Sequence, residues 1–238
     1  PLRRYTHLVK CTYAVGAMTT LVFLFACSGL LGPKVGPHTK QLMDYYAQPG
    51  NCHSSTEVPC PPVNAFSANQ VATIADWQFQ IGEPFLIKGG SELPQIQNSS
   101  ERRSFRKENI LALVIPYRIR NNAPVARKRD VRFQYKDTLG ETRDYGPYNA
   151  EQWGLIMDVK SSWDLGKIPP NQWVDTVTVV AADPEGVEGA AIYLRIQETR
   201  RYATGKKYKT TKAQTLIELP PVSRRDGPPP WLEVPMDD

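Results

Sequence analysis

The chain is 238 residues long, with 29 lysines and arginines against 24 acids, a net charge of +5, three histidines and four cysteines. Arg3, Arg4 and Lys10 supply +3 of that charge, leaving +2 for everything after them, so the basicity is not that of a nucleic-acid binder. The histidines stand at 7, 38 and 53, so a Ser-His-Asp or Cys-His arrangement drawn from within residues 71–219 is excluded.

The first ten residues read as a short cytoplasmic N-terminus. Residues 11–32 carry no charged side chain, and at 1.5 Å per residue they match a bilayer core of about 30 Å. A cleaved signal, a lipoprotein signal ending at Cys27 and a permanent anchor are the three readings. The apolar run is longer than a signal core, and a chain beginning at Pro1 fits removal of an initiator Met alone, so the expectation is a single-pass transmembrane helix. Charge flanking it places the N-terminus in the cytoplasm and the C-terminal part outside the inner membrane, in the periplasm. Thr12, Gly16, Thr20 and Ser28 fall on one row of small and hydroxyl side chains, a helix-packing face toward partner helices. Cys11 and Cys27 read as plain buried cysteines.

Residues 33–70 are rich in proline and glycine and read as a linker, with a possible helical turn over 41–47. Cys52 and Cys60 enclose a short loop, read as a local disulfide in an oxidising setting. The rivals are a metal site of Cys52, His53 and Cys60, for which no fourth ligand stands nearby, and two free thiols.

From Val71 to residue 219 the hydrophobic period is two. Strands are predicted at 77–81, 111–119, 131–135, 173–180, 192–197 and 216–219. Asp137-Thr138-Leu139-Gly140 is a hairpin turn, and Asn121-Asn122-Ala123-Pro124 and Asp183-Pro184-Glu185-Gly186 are similar breaks. About seven short strands of this kind suit one antiparallel β-sandwich. The basic clusters at Arg102-Arg103 with Arg106-Lys107, Arg127-Lys128-Arg129 and Lys206-Lys207 with Lys209 read first as solvated faces, with anionic lipid or an acidic partner subunit as the alternative contact. Glu141 with Asp144, or Asp158 with Asp164, are the carboxylate pairs that glycoside chemistry would need. Asn98-Ser99-Ser100 is a sequon. Residues 220–238 form an extended Pro-rich tail in which Pro229, Pro230, Trp231 and Leu232 would dock a partner.

The runs VIPYRIRNNAP, VRFQYKDTLGE, IPPNQWVDTVTVV and AAIYLRI resemble FxLYD-type and related immunoglobulin-like domains of bacterial envelope proteins, over about residues 110–197. Pro116 departs from that pattern at a strand position. The resemblance implies a non-catalytic adhesion, scaffold or accessory module. The expected fold class is therefore mainly β, a transmembrane helix followed by an immunoglobulin-like antiparallel sandwich. The expected function is an accessory subunit of a membrane complex, photosynthetic or respiratory first. It would use no cofactor or metal, its partners being membrane-protein subunits and the lipid bilayer, with no nucleic acid. The alternative is a membrane-tethered ligand- or protein-binding module, for which Trp153, Trp163 or Trp173 would line a pocket.

Overall fold

The structure is a computed structural model that describes residues 34–53, 58–87, 111–144, 159–162 and 165–225. The chain divides into Pro1–Lys34 and Val35–Asp238, and every element below lies in the second unit. In chain order these are helix α1 (Pro37–Ala47) and strands β1 (Val63–Phe66), β2 (Ala72–Ile74), β3 (Trp77–Ile81), β4 (Phe85–Ile87), β5 (Leu111–Asn121), β6 (Arg127–Lys128) and β7 (Val131–Lys136). They continue as β8 (Thr142–Asp144), β9 (Lys160–Ser161), β10 (Lys167–Ile168), β11 (Trp173–Ala182), β12 (Ala191–Arg201), β13 (Lys207–Glu218) and β14 (Ser223–Arg225).

One sheet runs β1-β13-β12-β7-β8 and the other β14-β4-β5-β11-β9, with β3 also on β5 and β2 on β3; β6 and β10 form a separate ribbon. Alternation decides which side chains meet between the sheets. Trp77, Phe79 and Ile81 join Leu113, Ile115, Tyr117 and Ile119 from one sheet. From the other come Val131, Phe133, Tyr135, Ile192, Leu194, Ile196 and Ile217. Tyr117 links the layers, its ring 6.1 Å from Phe79 and 5.3 Å from Phe133. A second apolar cluster (Ile87, Ala112, Val114, Val177 and Val179 with Phe85) occupies the opposite face of the β5 sheet.

Pro116 sits inside β5 without breaking it. Its carbonyl accepts the Gly82 N–H at 2.8 Å, so its donor-less nitrogen also faces that side, where β4 has ended and β3 begins. The ladder to β11 loses no hydrogen bond there. A Cβ on Gly82 would stand 3.2 Å from the Pro116 carbonyl oxygen and 3.3 Å from its Cβ, a crowded approach that glycine avoids.

The opposite face of the β13 sheet is covered by α1. Pro37 opens the helix at its first turn, where a missing N–H is harmless, and the Gly36 N–H donates to Glu218 Oε1 at 3.2 Å. Thr39 and Tyr46 are buried on the inward row, with Leu42 and Met43 partly so, against Ala65, Ala191, Tyr193 and Leu216. Residues 37–66, expected as linker, thus contribute a helix and a strand to the body.

Two parts of the expected fold class are corrected. Among the described residues no helix is long and apolar enough to cross a membrane. With 11 residues α1 spans about 16 Å, and it carries Lys40 and Asp44. The span expected at 11–32 lies outside the described residues, and the single-pass, inner-membrane and periplasmic expectations that hung on it are set aside. Nor is the sandwich wholly antiparallel: β1 with β13, β9 with β11 and β14 with β4 pair in parallel. These three partners are short segments laid on strand edges, with no turn to force antiparallel pairing.

Candidate interaction site

β12 and β13 outlast their neighbours. Pairing of β7 to β12 stops at Val131 opposite Ile196, and that of β1 to β13 stops at Val63 opposite Gln214. The two strands continue together for five further rungs, from Gln197 opposite Thr211 to Arg201 opposite Lys207, as a ribbon about 17 Å long. A register shift between Ile196 and Gln197 leaves Lys212 as the extra residue of a bulge at its root. At the tip the Tyr202 N–H donates to Lys206 O at 2.8 Å and Gly205 takes φ +83, a backbone conformation that glycine supplies cheaply. Tyr202 and Tyr208 stack with centroids 4.2 Å apart.

The charge is concentrated here. Residues 197–212 hold Arg200, Arg201, Lys206, Lys207, Lys209 and Lys212 against Glu198 alone, so the rest of the chain has equal numbers of acids and bases. Glu198 is spent on Arg200, at 2.5 Å, on one face of the ribbon. On the other face Arg201 stands directly opposite Lys207. Further along that face Arg195 stands opposite Arg132. Like charges on one rung destabilise a sheet. Two such rungs in line make an electropositive stripe, and an open groove of about 590 Å³ lined by Thr199, Tyr202, Lys207, Tyr208 and Lys209 lies at its tip.

The root of the ribbon is held by the cysteine loop. Cys52 and Cys60 are bonded, as their spacing suggests. Thr211 Oγ1 donates to the Cys52 carbonyl, and the Thr211 N–H donates to His53 Nδ1 at 2.7 Å. With Nδ1 accepting, Nε2 carries the ring proton toward Pro59 O at 3.0 Å. The ligand atoms of Cys52, His53 and Cys60 lie within 4.8 Å of one another, but the bond consumes both thiols and leaves no thiolate for a metal.

Behind the loop lies a buried polar network. Tyr193 Oη donates to Gln214 Oε1 at 2.7 Å, and Gln214 Nε2 donates to Pro61 O at 2.6 Å and Tyr46 O at 3.2 Å. The Tyr46 and Tyr193 rings stack at 3.9 Å, with Lys136 Nζ within 6 Å of both centroids. Burial first, then the neighbouring Tyr45, pushes the Tyr46 phenol up to about 12; burial and Tyr46 push Tyr193 upward as well. A folded value raised above the unfolded value of about 10 contributes stability that is complete below pH 10 and lost as pH rises through 12. The urea midpoint is therefore expected to hold steady up to about pH 10 and fall from there to pH 12, less steeply in Tyr46→Phe; equal slopes would contradict the assignment.

Of the other residues singled out in the sequence, Thr12, Gly16, Thr20 and Ser28 and the tail residues Pro229, Pro230, Trp231 and Leu232 lie outside the described residues, as do Trp153, Trp163, Asp158, Asp164 and Asn98. Glu141 is an exposed turn residue whose N–H donates to Asp137 Oδ1 at 2.7 Å. The Arg118 guanidinium lies 4.8 Å over the Trp173 ring, and a 360 Å³ hollow beside Arg118 is walled by Gln80, Ile81, Pro116, Tyr117, Arg118 and Asp175 among others, without Trp173. The ribbon itself was missed, since residues 198–215 carry no apolar alternation. The signal that could have found it is the run of cations around Tyr202 and Tyr208, with Gly205 as its turn.

Fold and site together define a mainly β body of two packed sheets that presents a basic, disulfide-rooted ribbon. No family model and no curated protein matches the chain. Among solved structures it is similar to a conserved hypothetical protein from Bacillus anthracis, at 10% identity and a TM-score of 0.39, covering 60% of this chain and 94% of that one. A structural-genomics target is similar at 14% identity and 0.31, covering 61% and 88%. A protein called ApaA from Bordetella pertussis is similar at 11% and 0.27, covering 63% and 98%.

Proposed function

We propose that this chain is a non-catalytic accessory subunit of a larger protein assembly, its sandwich serving as a scaffold that presents the β12–β13 ribbon to a partner. The observation that carries this reading is the Arg201–Lys207 rung. A like-charge rung at the end of a two-stranded ribbon weakens the free protein, and a partner of opposite charge relieves it. The rooting supports the same reading. A disulfide, a histidine ring and a buried glutamine fix the base of the arm, so little ordering entropy remains to be lost on docking. The buried Thr211 and Gln214 side chains donate to backbone carbonyls, which suits positioning rather than proton transfer.

Native mass spectrometry of the gently extracted full chain tests it. The expected result is a complex of fixed stoichiometry that Arg201→Glu/Lys207→Glu loses while keeping its fold. Recovery of the unaltered chain as a lone monomer contradicts the reading.

A further inference from the structure

We infer that the free edge of β12 is a strand-docking site for an extended acidic segment of a partner protein. This rests on the accessory-subunit reading and names the partner's chemistry. The argument starts from backbone direction. In an antiparallel pair, alternate residues turn their N–H and C=O toward the partner strand or away from it. The Tyr202 N–H bonds Lys206 O across the ribbon, so Tyr202 faces inward and Arg201, Thr199 and Gln197 turn their backbone groups outward. The outward Thr211 N–H, bonded to the His53 ring, fits the same alternation on the opposite strand. Outward groups on β12 continue the line that β7 occupies as far as Ile196, and among the described residues no strand occupies it beyond that point. Thr199 and Arg201 are exposed.

Side chains supply the sign. Gln197, Thr199 and Arg201 share a face with Arg195 and, across the rungs, with Lys207 and Arg132. A strand added at this edge places every second side chain on that face, one per 6.6–6.8 Å. Acids at alternate positions of such a strand meet Arg201 and Lys207 at the tip and Arg195 and Arg132 at the root. A polypeptide fits better than a nucleic acid for two reasons. Only a polypeptide satisfies the outward N–H and C=O groups together. The ring pair that would stack bases, Tyr202 and Tyr208, is already closed on itself at 4.2 Å.

The test uses the full chain and an alternating Glu-Val nonapeptide, with a thymidine 12-mer and phosphatidylserine vesicles as competing probes. Calorimetric titration at low salt is expected to show peptide binding that weakens at least tenfold in Arg201→Glu/Lys207→Glu. The same loss is expected in Thr199→Pro, which removes one outward N–H, keeps every charge and leaves the β13 ladder intact. Amide exchange at Gln197, Thr199 and Arg201 is expected to slow on binding, and matching thermal melts confirm that both variants fold. Undiminished binding by Thr199→Pro overturns strand docking and leaves the accessory-subunit reading standing. Tighter binding of the 12-mer or the vesicles than of the peptide overturns the choice of partner class. No effect of the charge reversal on any probe, together with an intact native complex in that variant, removes both.

Discussion

Replacing Trp77 with alanine is expected to destabilise the fold by about 3–5 kcal/mol, the range for deleting a buried large aromatic. Trp77 is 0% exposed at the start of β3. Its ring lies in the core between the sheets, and its Nε1 donates to Asp130 Oδ1 at 2.7 Å just before β7. The Arg127 guanidinium stacks 4.8 Å over the ring and is paired with Asp76 at 3.2 Å. One side chain therefore joins the edge of one sheet to the entry of the other. Trp77→Phe separates the contributions, since it keeps most of the apolar volume and loses the bond to Asp130, at a cost of about 1–2 kcal/mol. Urea denaturation measures both, and an alanine variant within 1 kcal/mol of the unaltered protein would place Trp77 outside the core.

Removing the disulfide has the next largest effect. Cys52 and Cys60 are separated by 8 positions, and cross-linking so short a loop restricts the unfolded chain by about 2–3 kcal/mol on the loop-entropy model. The double variant Cys52→Ser/Cys60→Ser is expected to lose that amount. It is also expected to free the Cys52 carbonyl and His53 from Thr211, so amide exchange at Thr211 speeds up more than at Ile217 in the same strand. His53→Ala moves the Thr211 amide in the same direction with a smaller loss of stability. Uniform acceleration along β13 would mean that the loop stabilises the sandwich without holding the ribbon.

Strands that alternate were legible in the sequence: 77–81, 131–135 and 192–196 each have one face in the core, and the period reports that burial. So was the hairpin after β7, where Asp137 Oδ1 accepts the N–H groups of Leu139 and Glu141 and Gly140 takes φ +90. The far halves of β12 and β13 were not legible. Thr210 and Thr211 are buried but polar and the remaining side chains are exposed or half-buried, so no apolar period exists, and main-chain pairing of the two strands with each other carries them. α1 was missed in extent because its inward row, Thr39, Leu42, Met43 and Tyr46, is narrow and mixed in polarity. The parallel additions β1 and β14 leave no mark either, since a strand laid on an existing edge needs no turn signal. At the site, the cysteine pair was legible from spacing, whereas His53 as a hydrogen-bond acceptor at a bulge depends on a contact 158 positions away.

A photo-reactive benzoylphenylalanine placed at Thr204, on the exposed ribbon tip, and at Val125, an exposed position in the turn after β5, compares the two regions within the assembled protein. The ribbon reading predicts one dominant adduct from Thr204, mapped by mass spectrometry to an acidic, extended segment of a single partner protein, and none of it from Val125. Equal adducts from both positions, or a Thr204 adduct mapped to a basic or apolar surface, would contradict it.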